Sequence, residues 1–325
     1  MSRTHLIQSQ PWKREKDQKK VIFITGIGRS GSTLLDLMLG NGENSFSAGE
    51  LYALFRPFRP HHLLQDGCFC EEPGCDFWQR IKEDGESDIY PNLFRFAEVR
   101  TLVDSSKHPL WLTDQYQYGR GRAYQIVPVI IYKSPLEFAY SLHKRDKFHR
   151  WRSMWMRRHR WLLEVADDFV GVSYRHLAQY PADVVEDLCE RLGLEHFVGK
   201  EKFWENDASH FLFGSGSVKQ SDRLVFYDEQ FNEERLQKVR AEIEIDQKVE
   251  QVYHLLRVKS IWPPEEKDKR GVETTLPQKY AHVGDWHYRY ERAKSTPWYA
   301  VNRLIESVAG QAKRLLFGAH DERET

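Results

Sequence analysis

The eight residues from Gly26 to Thr33 have the composition and spacing of a phosphate-binding loop. Three glycines, one arginine and three hydroxyl residues fill the stretch GIGRSGST. Glycines let the backbone approach a ligand closely, and the amides at a helix N-terminus attract an anion. The pattern predicts an anion site here. An ordinary turn without a ligand is the alternative, and so many glycines and hydroxyls disfavour it.

Apolar residues on both sides of this loop indicate the elements that hold it. The run from Val21 to Ile24 is short, apolar and mostly β-branched or aromatic, which is typical of a buried strand. After the loop, Leu34, Leu35 and Met38 follow a helical spacing. The loop is therefore expected to join a strand to a helix N-terminus.

The cation of this loop is not where a nucleoside triphosphatase needs it. Gly26 and Gly31 have the GxxxxGK[ST] spacing and Thr33 supplies the hydroxyl, but Ser32 occupies the lysine position. The basic residue lies inside the loop, at Arg29. This arrangement disfavours a kinase or ATPase, and it suits a nucleotide whose bound end is not a magnesium-chelated triphosphate.

The loop resembles the 5′-phosphosulfate loop of the PAPS-dependent sulfotransferases, PAPS being the adenosine 3′-phosphate 5′-phosphosulfate donor. The resemblance covers about residues 20 to 257. It implies that Arg29 contacts the group being transferred and that the loop binds the 5′-phosphate. The residues it assigns to cofactor binding here are Gly28, Arg29, Ser30, Gly31, Ser32 and Thr33.

A second apolar run, from Val99 to Val103, ends in the sequence DSSKHP. In open α/β folds, ligands bind at the carboxyl ends of parallel strands, where such polar residues would lie. The family resemblance implies that Lys107 stabilises the sulfonate during transfer. Asp104, Ser105 and Ser106 have the alternative role of capping the turn.

The third strong strand, Val127 to Tyr132, has Pro128 near its start, which a strand beginning tolerates. Lys133 follows it directly, and Ser141 comes eight residues later. The pair resembles the family's 3′-phosphate motif, in which the basic residue is usually arginine. Lysine keeps the charge but lacks the bidentate fork. A plain strand-to-helix turn is the alternative.

Glu50 is the candidate general base. It follows Ser-Ala-Gly where a loop enters a helix, twenty-one residues after Arg29. In tyrosylprotein and related sulfotransferases, a glutamate at about this distance removes the acceptor proton. A carboxylate placed for proton transfer contributes about 10²–10⁴ in rate. The alternative role is a first-turn glutamate stabilised by the helix dipole.

A second glycine–serine loop runs from His210 to Lys219. In several members of the family, a segment of this kind closes over the adenosine and 3′-phosphate. By that resemblance Lys219 binds the nucleotide, in place of the family's arginine. A surface loop without a ligand is the alternative.

Three of the four cysteines are clustered, at Cys68, Cys70 and Cys75. The cluster leaves open a zinc site, a local disulfide, or reduced thiols packed in a loop. For zinc, His61 or His62 is the candidate fourth ligand. The CxC spacing is tighter than usual structural zinc pairs, which favours reduced thiols, and the predicted chemistry requires no metal.

A basic and aromatic stretch, residues 143 to 163, carries three tryptophans. Inward packing of the tryptophans is favoured, with an anionic partner surface or nucleic acid as alternatives. Residues 56 to 98 look irregular and are expected to form an acceptor-side insertion. Three further elements are expected after this stretch. A fourth strand is predicted at 168–174, a helix is predicted to end before Gly193, and one amphipathic helix is predicted at 232–257.

Composition and charge limit the possible partners, cellular location and fold class. The 325 residues are 40% apolar, and 48 basic residues balance 48 acidic ones, so no nucleic-acid partner is expected. No apolar run is long enough for a signal peptide or membrane span, which favours a cytoplasmic protein. The expected fold class is a three-layer α/β fold, with helices on both faces of a central parallel sheet.

The expected organisation is a polar tail at 1–19, a PAPS-binding domain at 20–257 and a C-terminal extension at 258–325. The resemblance implies transfer of the sulfuryl group of PAPS to an acceptor hydroxyl, giving PAP. The acceptor would be a small molecule, carbohydrate or peptide, and self-association into a homo-oligomer stays open. The alternatives are a kinase of the same fold and a degenerate, non-catalytic nucleotide-binding scaffold.

Overall fold

A computed structural model describes residues 18–64, 68–70, 72–166, 168–206, 210–219 and 232–261. Most of the predicted N-terminal tail and C-terminal extension lies outside the described residues. The described part contains five strands: β1 (Lys19–Gly26), β2 (Ser45–Gly49), β3 (Thr101–Lys107), β4 (Tyr124–Tyr132) and β5 (Val170–Ser173).

Helices connect these strands. In chain order they are α1 (Ser32–Leu39), α2 (Leu51–Phe55), α3 (His61–Leu64), α4 (Phe77–Ile81), α5 (Ile89–Phe96), α6 (Pro109–Tyr118), α7 (Pro135–His143), α8 (Trp151–Val165), α9 (Tyr174–Gln179), α10 (Pro181–Leu192), α11 (Gly216–Lys219), α12 (Glu233–Glu242) and α13 (Gln247–Val258). Short 3₁₀ turns occur at Glu86–Asp88, Phe148–Arg150 and Phe203–Glu205.

The strands form one parallel sheet in the order β2-β3-β1-β4-β5. β1 is central, with β3 on one side and β4 on the other. The chain therefore builds the sheet outward in both directions from β1. Open α/β folds bind ligands at such a reversal, outside the carboxyl ends of the strands.

The alternation of side chains along β1 explains the two helical layers. Val21 and Phe23 belong to a core cluster with buried residues of α5, α6, α8 and α13. Ile22 and Ile24 belong to a second cluster, with buried residues of α1 and α10. Successive residues of a strand point to opposite faces, so both faces of this sheet are covered. The predicted three-layer α/β fold is confirmed.

The boundaries of β3 and the place of Pro128 differ from the expectation. β3 begins at Thr101 and continues to Lys107, four residues past the predicted end, because its polar residues are buried and hydrogen-bonded. Pro128 lies in the middle of β4 rather than at its start. The pairing of β4 with β5 begins only at Val129, so the proline precedes the doubly paired part of the strand.

The irregular structure expected for residues 56–98 and the single helix expected at 232–257 were both wrong. Residues 56–98 are partly helical, and α5 packs against the sheet through Ile89, Tyr90, Leu93 and Phe94. The expected helix at 232–257 is two helices, α12 and α13. Asp246 separates them because its carboxylate accepts a hydrogen bond from the N–H of Val249, at 3.0 Å, and caps α13.

The tryptophans of α8 pack inward, as favoured from the sequence. Trp151, Trp155 and Trp161 are all buried, and Trp155 is fully so. Removing about 200 Å² of aromatic surface from water stabilises a fold by about 5 kcal/mol.

α10 ends at Leu192, and Gly193 follows at φ 62°, which confirms the predicted helix end.

Candidate functional site

The candidate residues follow the carboxyl ends of four neighbouring strands. In the sheet register, Thr25 of β1 lies opposite Lys107 of β3, and Gly49 of β2 lies opposite Asp104 of β3. The hydroxyl of Thr25 also donates to the carbonyl of Lys107, at 3.1 Å. The carboxyl ends of β1, β2, β3 and β4 form one edge of the sheet. This edge carries the loop of residues 27–31, Glu50, Lys107 and Lys133.

Glycine is required at two positions of the loop after β1. A Cβ at Gly26 would lie 2.2 Å from the carbonyl oxygen of Ile131, and one at Gly31 would lie 2.5 Å from the Tyr174 ring. Both glycines have positive φ, 155° and 91°. A Cβ at Gly28 would meet nothing within 4 Å. The loop is therefore fixed at its two ends and open at its centre.

The other loop residues differ in what they offer a ligand. Arg29 is exposed and has φ 75°, so the backbone presents it in a strained, left-handed conformation. Ser30 is buried, and its hydroxyl has no partner among the described residues. Ser32 begins α1, and the Thr33 hydroxyl accepts from the N–H of Ser215, at 3.2 Å.

Lys133 lies in a cationic environment. Burial lowers its pKa to about 8; the Glu137 carboxylate opposes this shift, and the charges of Lys144, Arg145 and Arg29 add to it. Although Arg29 is exposed, partial loss of water around its guanidinium lowers its pKa, and the charge of Arg145 acts in the same direction. An anion bound among these groups would relieve their mutual repulsion. Arg29, predicted to lie at the 5′ end of the nucleotide, and Lys133, predicted to lie at its 3′ end, therefore belong to one region of positive potential.

Contacts around Lys133 fix its place after β4. Its Nζ lies 4.2 Å from the centroid of the Tyr174 ring, and its carbonyl accepts from the Trp155 indole at 3.0 Å. The next residues form a capping box, in which Ser134 and Glu137 bond to each other's backbone N–H. The turn into α7 is therefore well defined.

Ser141 lies on α7 and is nearly buried. Its hydroxyl donates to the carbonyl of Phe138 at 2.8 Å, which leaves the oxygen's acceptor capacity for a further partner. The Arg145 guanidinium donates to the Ser141 carbonyl. Sequence reasoning did not single out Arg145, which was one of many cations in a basic stretch.

Glu50 and Lys107 form a buried ion pair at the same edge. Nζ of Lys107 donates to Oε1 of Glu50 at 2.6 Å and to the carbonyl of Ser105 at 3.0 Å. Burial alone would raise the pKa of Glu50, but the charge and hydrogen bond of Lys107 outweigh it, with help from Arg59 and His62. The carboxylate is therefore ionised at neutral pH.

A buried hydrogen-bond network supports the turn that carries Glu50. The N–H of Tyr52 donates to the Ser106 hydroxyl at 2.9 Å, and that hydroxyl donates to Asp104. The other oxygen of Asp104 accepts from Tyr90 at 2.7 Å and from Trp111 at 2.9 Å. Ser106 lies inside β3 and therefore joins this strand to α2.

The segment of residues 210–219 was expected to close over the nucleotide, and its first part also contacts the turn that carries Glu50. The N–H of Glu50 donates to the Leu212 carbonyl at 2.9 Å. A Cβ at Gly49, whose φ is 79°, would lie 2.1 Å from that same oxygen. Sequence reasoning missed this contact because it joins residues about 160 positions apart. α11 follows the segment and ends at Lys219, whose side chain lies outside the described residues.

Asp36 is a buried carboxyl group in α1, below the loop. Its side chain is fully inaccessible, and burial raises its pKa to about 8. The nearby charge of Asp104 acts in the same direction. Asp36 is therefore largely protonated at neutral pH, and it does not add negative charge to the candidate anion site.

The cysteine cluster has a histidine neighbour, but it is neither of the two expected. Cys68, Cys70 and Cys75 lie beside His210. The Nδ1 of His62 instead accepts from the N–H of Phe58, at 3.3 Å. The side chain of His61 lies outside the described residues. His210 was missed because it is far from the cysteines in sequence.

The parallel sheet and its carboxyl edge define a three-layer α/β protein. No protein-family model and no curated protein matches the chain. Among solved structures it is similar to the sulfotransferase domain of the Synechococcus PCC 7002 olefin synthase, at 22% identity over 75% of this chain and 96% of that one, with a TM-score of 0.47.

Two further solved structures are similar. The sulfotransferase domain of the curacin biosynthetic pathway has 17% identity over 73% of this chain and 97% of that one, with a TM-score of 0.49. The sulfotransferase from Alicyclobacillus acidocaldarius has 18% identity over 61% and 87%, with a TM-score of 0.35. At these identities and TM-scores, the similarity concerns the fold alone.

None of the helices in the described ranges combines the length and apolar character needed to cross a membrane.

Proposed function

We propose that this protein is a PAPS-dependent sulfotransferase, which moves the sulfuryl group of PAPS to an acceptor hydroxyl and releases PAP. The observation that carries the proposal is the buried pair of Glu50 and Lys107, 2.6 Å apart, at the sheet edge that also carries the Arg29 loop. A base and a cation beside a glycine-rich anion loop are what this reaction needs from a protein.

The donor's two charged ends would bind to different segments of the edge. The 5′-phosphosulfate would be held by the backbone amides of the loop and the N-terminus of α1, with Arg29, Ser30 and Thr33 as side-chain donors. The 3′-phosphate would be held by Lys133, with Ser141 and Arg145 beside it on and after α7. Lys219 is proposed to close over the nucleotide.

Glu50 acts as the general base in this proposal. It takes the proton of the acceptor hydroxyl while the acceptor oxygen attacks sulfur in line. The bond between sulfur and the phosphate oxygen breaks, and its electron pair stays on the phosphate of PAP. The products are PAP, a sulfate ester and a protonated Glu50, which returns its proton to solvent.

Lys107 has two roles that succeed one another. Before transfer it holds the pKa of Glu50 below its ordinary value. When Nζ turns to the sulfonate and the leaving phosphate, Glu50 loses that partner and burial then raises its pKa, which makes it a stronger base. Arg29 adds positive charge where the transferred group develops negative charge.

A PAPS-dependent activity screen tests the proposal. Purified protein is incubated with PAPS and, separately, with sugar, phenol, lipid and tyrosine-peptide acceptors, and PAP and the sulfated product are quantified by mass spectrometry. We expect one acceptor class to give equimolar PAP and sulfate ester. Phosphorylated product with ATP and none with PAPS would support the kinase alternative instead, even though Ser32 replaces the loop lysine.

The affinity for PAP is expected to fall as the pH rises through about 8. The pKa of Lys133 in the free protein is about 8, so below that pH the lysine carries the charge that attracts phosphate, and above it the charge is lost. The phosphate itself, with a second pKa near 6, is already fully ionised. Calorimetry between pH 7 and 9.5 should show a loss approaching about tenfold per pH unit above 8.

Lys133→Arg provides the control for this pH dependence. Arginine stays charged throughout the range, so the variant should bind PAP with a nearly flat profile. Equal slopes for the wild type and the variant would contradict the role of Lys133.

A further inference from the structure

Three cysteines and one histidine converge outside the proposed transfer site. The ligand atoms of Cys68, Cys70, Cys75 and His210 all lie within 4.8 Å of one another. The sulfur of Cys68 is 3.3 Å from that of Cys70 and 3.9 Å from that of Cys75. Nδ1 of His210 is 3.6 Å from the Cys68 sulfur and 3.4 Å from the Cys75 sulfur.

Three of these four separations are close to the edges of a tetrahedral zinc site, and the distance of 3.3 Å between the Cys68 and Cys70 sulfurs is shorter than such an edge. With Zn–S of about 2.3 Å and Zn–N of about 2.0 Å, tetrahedral geometry sets S···S at about 3.8 Å and S···N at about 3.5 Å. A disulfide would need about 2.05 Å between two sulfurs, and the cysteines are free. The cluster is therefore spaced for a metal at its centre rather than for a bond between two of its members.

The fourth ligand is presented by a different part of the chain. The His210 ring stacks on Phe77, with centroids 4.2 Å apart, and the backbone at His210 has φ 61°. The cysteine loop and the segment that begins at His210 are also joined by a backbone hydrogen bond, in which the N–H of Phe69 donates to the Phe211 carbonyl at 3.0 Å. The four ligand atoms are thus brought together by contacts that need no metal.

We propose that Cys68, Cys70, Cys75 and His210 bind one structural Zn²⁺ ion. Four protein ligands close the coordination sphere and leave no position for water or substrate, which is typical of a structural rather than a catalytic site. On binding, the three thiols lose their protons to solvent and no electron is transferred. The site therefore adds nothing to the bond-making steps of sulfuryl transfer.

The position of the proposed zinc site indicates what it stabilises. His210 begins the segment whose Leu212 carbonyl accepts from Glu50 and whose Ser215 N–H donates to Thr33. Zinc would fasten this segment to the cysteine loop and so hold the turn of the candidate base beside the anion loop. This consequence rests on the proposed function, whereas the zinc site itself does not.

Metal analysis of the purified full-length chain tests the proposal. Protein is produced in zinc-supplemented medium and exhaustively dialysed. Elemental mass spectrometry should then find close to one zinc ion per chain. Cys75→Ser and His210→Ala should each retain much less, and Cys189→Ala, which removes the buried thiol of α10, should retain the wild-type amount. Wild-type protein without zinc, or with an intact mass two hydrogens lighter through a disulfide, would overturn the proposal.

Cobalt substitution provides a measurement on the unmodified chain, so it does not depend on a variant that folds. Zinc is removed with a chelator under reducing conditions and replaced with Co²⁺. The proposed site predicts intense tetrahedral ligand-field absorption and a sulfur-to-cobalt charge-transfer band. A weak octahedral spectrum without charge transfer would overturn it. Neither readout uses sulfotransfer, so failure here and failure of the proposed function are distinguishable.

Discussion

Glu50→Gln should lower turnover by about 10²–10⁴-fold while leaving the affinity for PAP unchanged. Glutamine keeps the size of the side chain and can accept from Lys107, but it cannot take the acceptor proton. PAP contacts the loop and Lys133 in the proposed arrangement, and neither depends on the Glu50 charge. Single-turnover rates with saturating PAPS and calorimetry with PAP measure the two quantities separately.

The chain offers a matched control for this substitution. Glu234 and Lys238 form an ion pair of similar length, 2.8 Å, but both side chains are exposed on α12. Glu234→Gln should therefore keep wild-type turnover. If Glu50→Gln kept it as well, Glu50 would not be the base, and its pairing with Lys107 would be structural.

Lys107→Met should reduce turnover by about 10²–10³-fold, the usual cost of removing one group that stabilises transition-state charge. It should also move the acid limb of the pH profile of kcat/KM, which reports the ionisation of the free enzyme, to higher pH. Lys107 holds the pKa of Glu50 down, and burial raises it once the lysine is gone. Because the base must be ionised to work, the remaining activity should rise later as the pH increases.

Stability measurements separate this catalytic loss from misfolding. Methionine leaves a buried Glu50 without its cation, which costs about 3–5 kcal/mol in the free energy of unfolding near neutral pH. The double variant Lys107→Met with Glu50→Gln should recover much of that stability and none of the activity. Lys238→Met, at the exposed pair, should change neither, because exposed pairs contribute little. An unshifted pH profile in Lys107→Met would contradict the proposed coupling.

The central strands and the loop between β1 and α1 could be predicted because their signals are local. The apolar runs before Gly26 and before Lys133 each correspond to a strand of the sheet. Parallel strands place their carboxyl ends at one edge, so a correct prediction of the strands also grouped Lys107 and Lys133.

What the sequence did not show depends on contacts between distant residues. β3 continues through Asp104 because Tyr90 and Trp111 donate to its carboxylate, and no local pattern encodes that. His210 and Leu212 join the cysteine loop and the Glu50 turn over more than 130 residues. In the sequence Arg145 is one of many basic residues, and only its hydrogen bond to the Ser141 carbonyl in the structure places it beside the candidate site.

Isothermal titration calorimetry with PAP and with ATP, in the presence and absence of magnesium, tests the central claim most directly. We predict tight PAP binding that does not change when magnesium is removed, and weak or undetectable ATP binding. The reason is that the loop has Arg29 inside it and Ser32 where a triphosphate-binding lysine would lie. Tight, magnesium-dependent ATP binding with no binding of PAP would contradict the account, and binding of neither nucleotide would exclude both enzymatic functions.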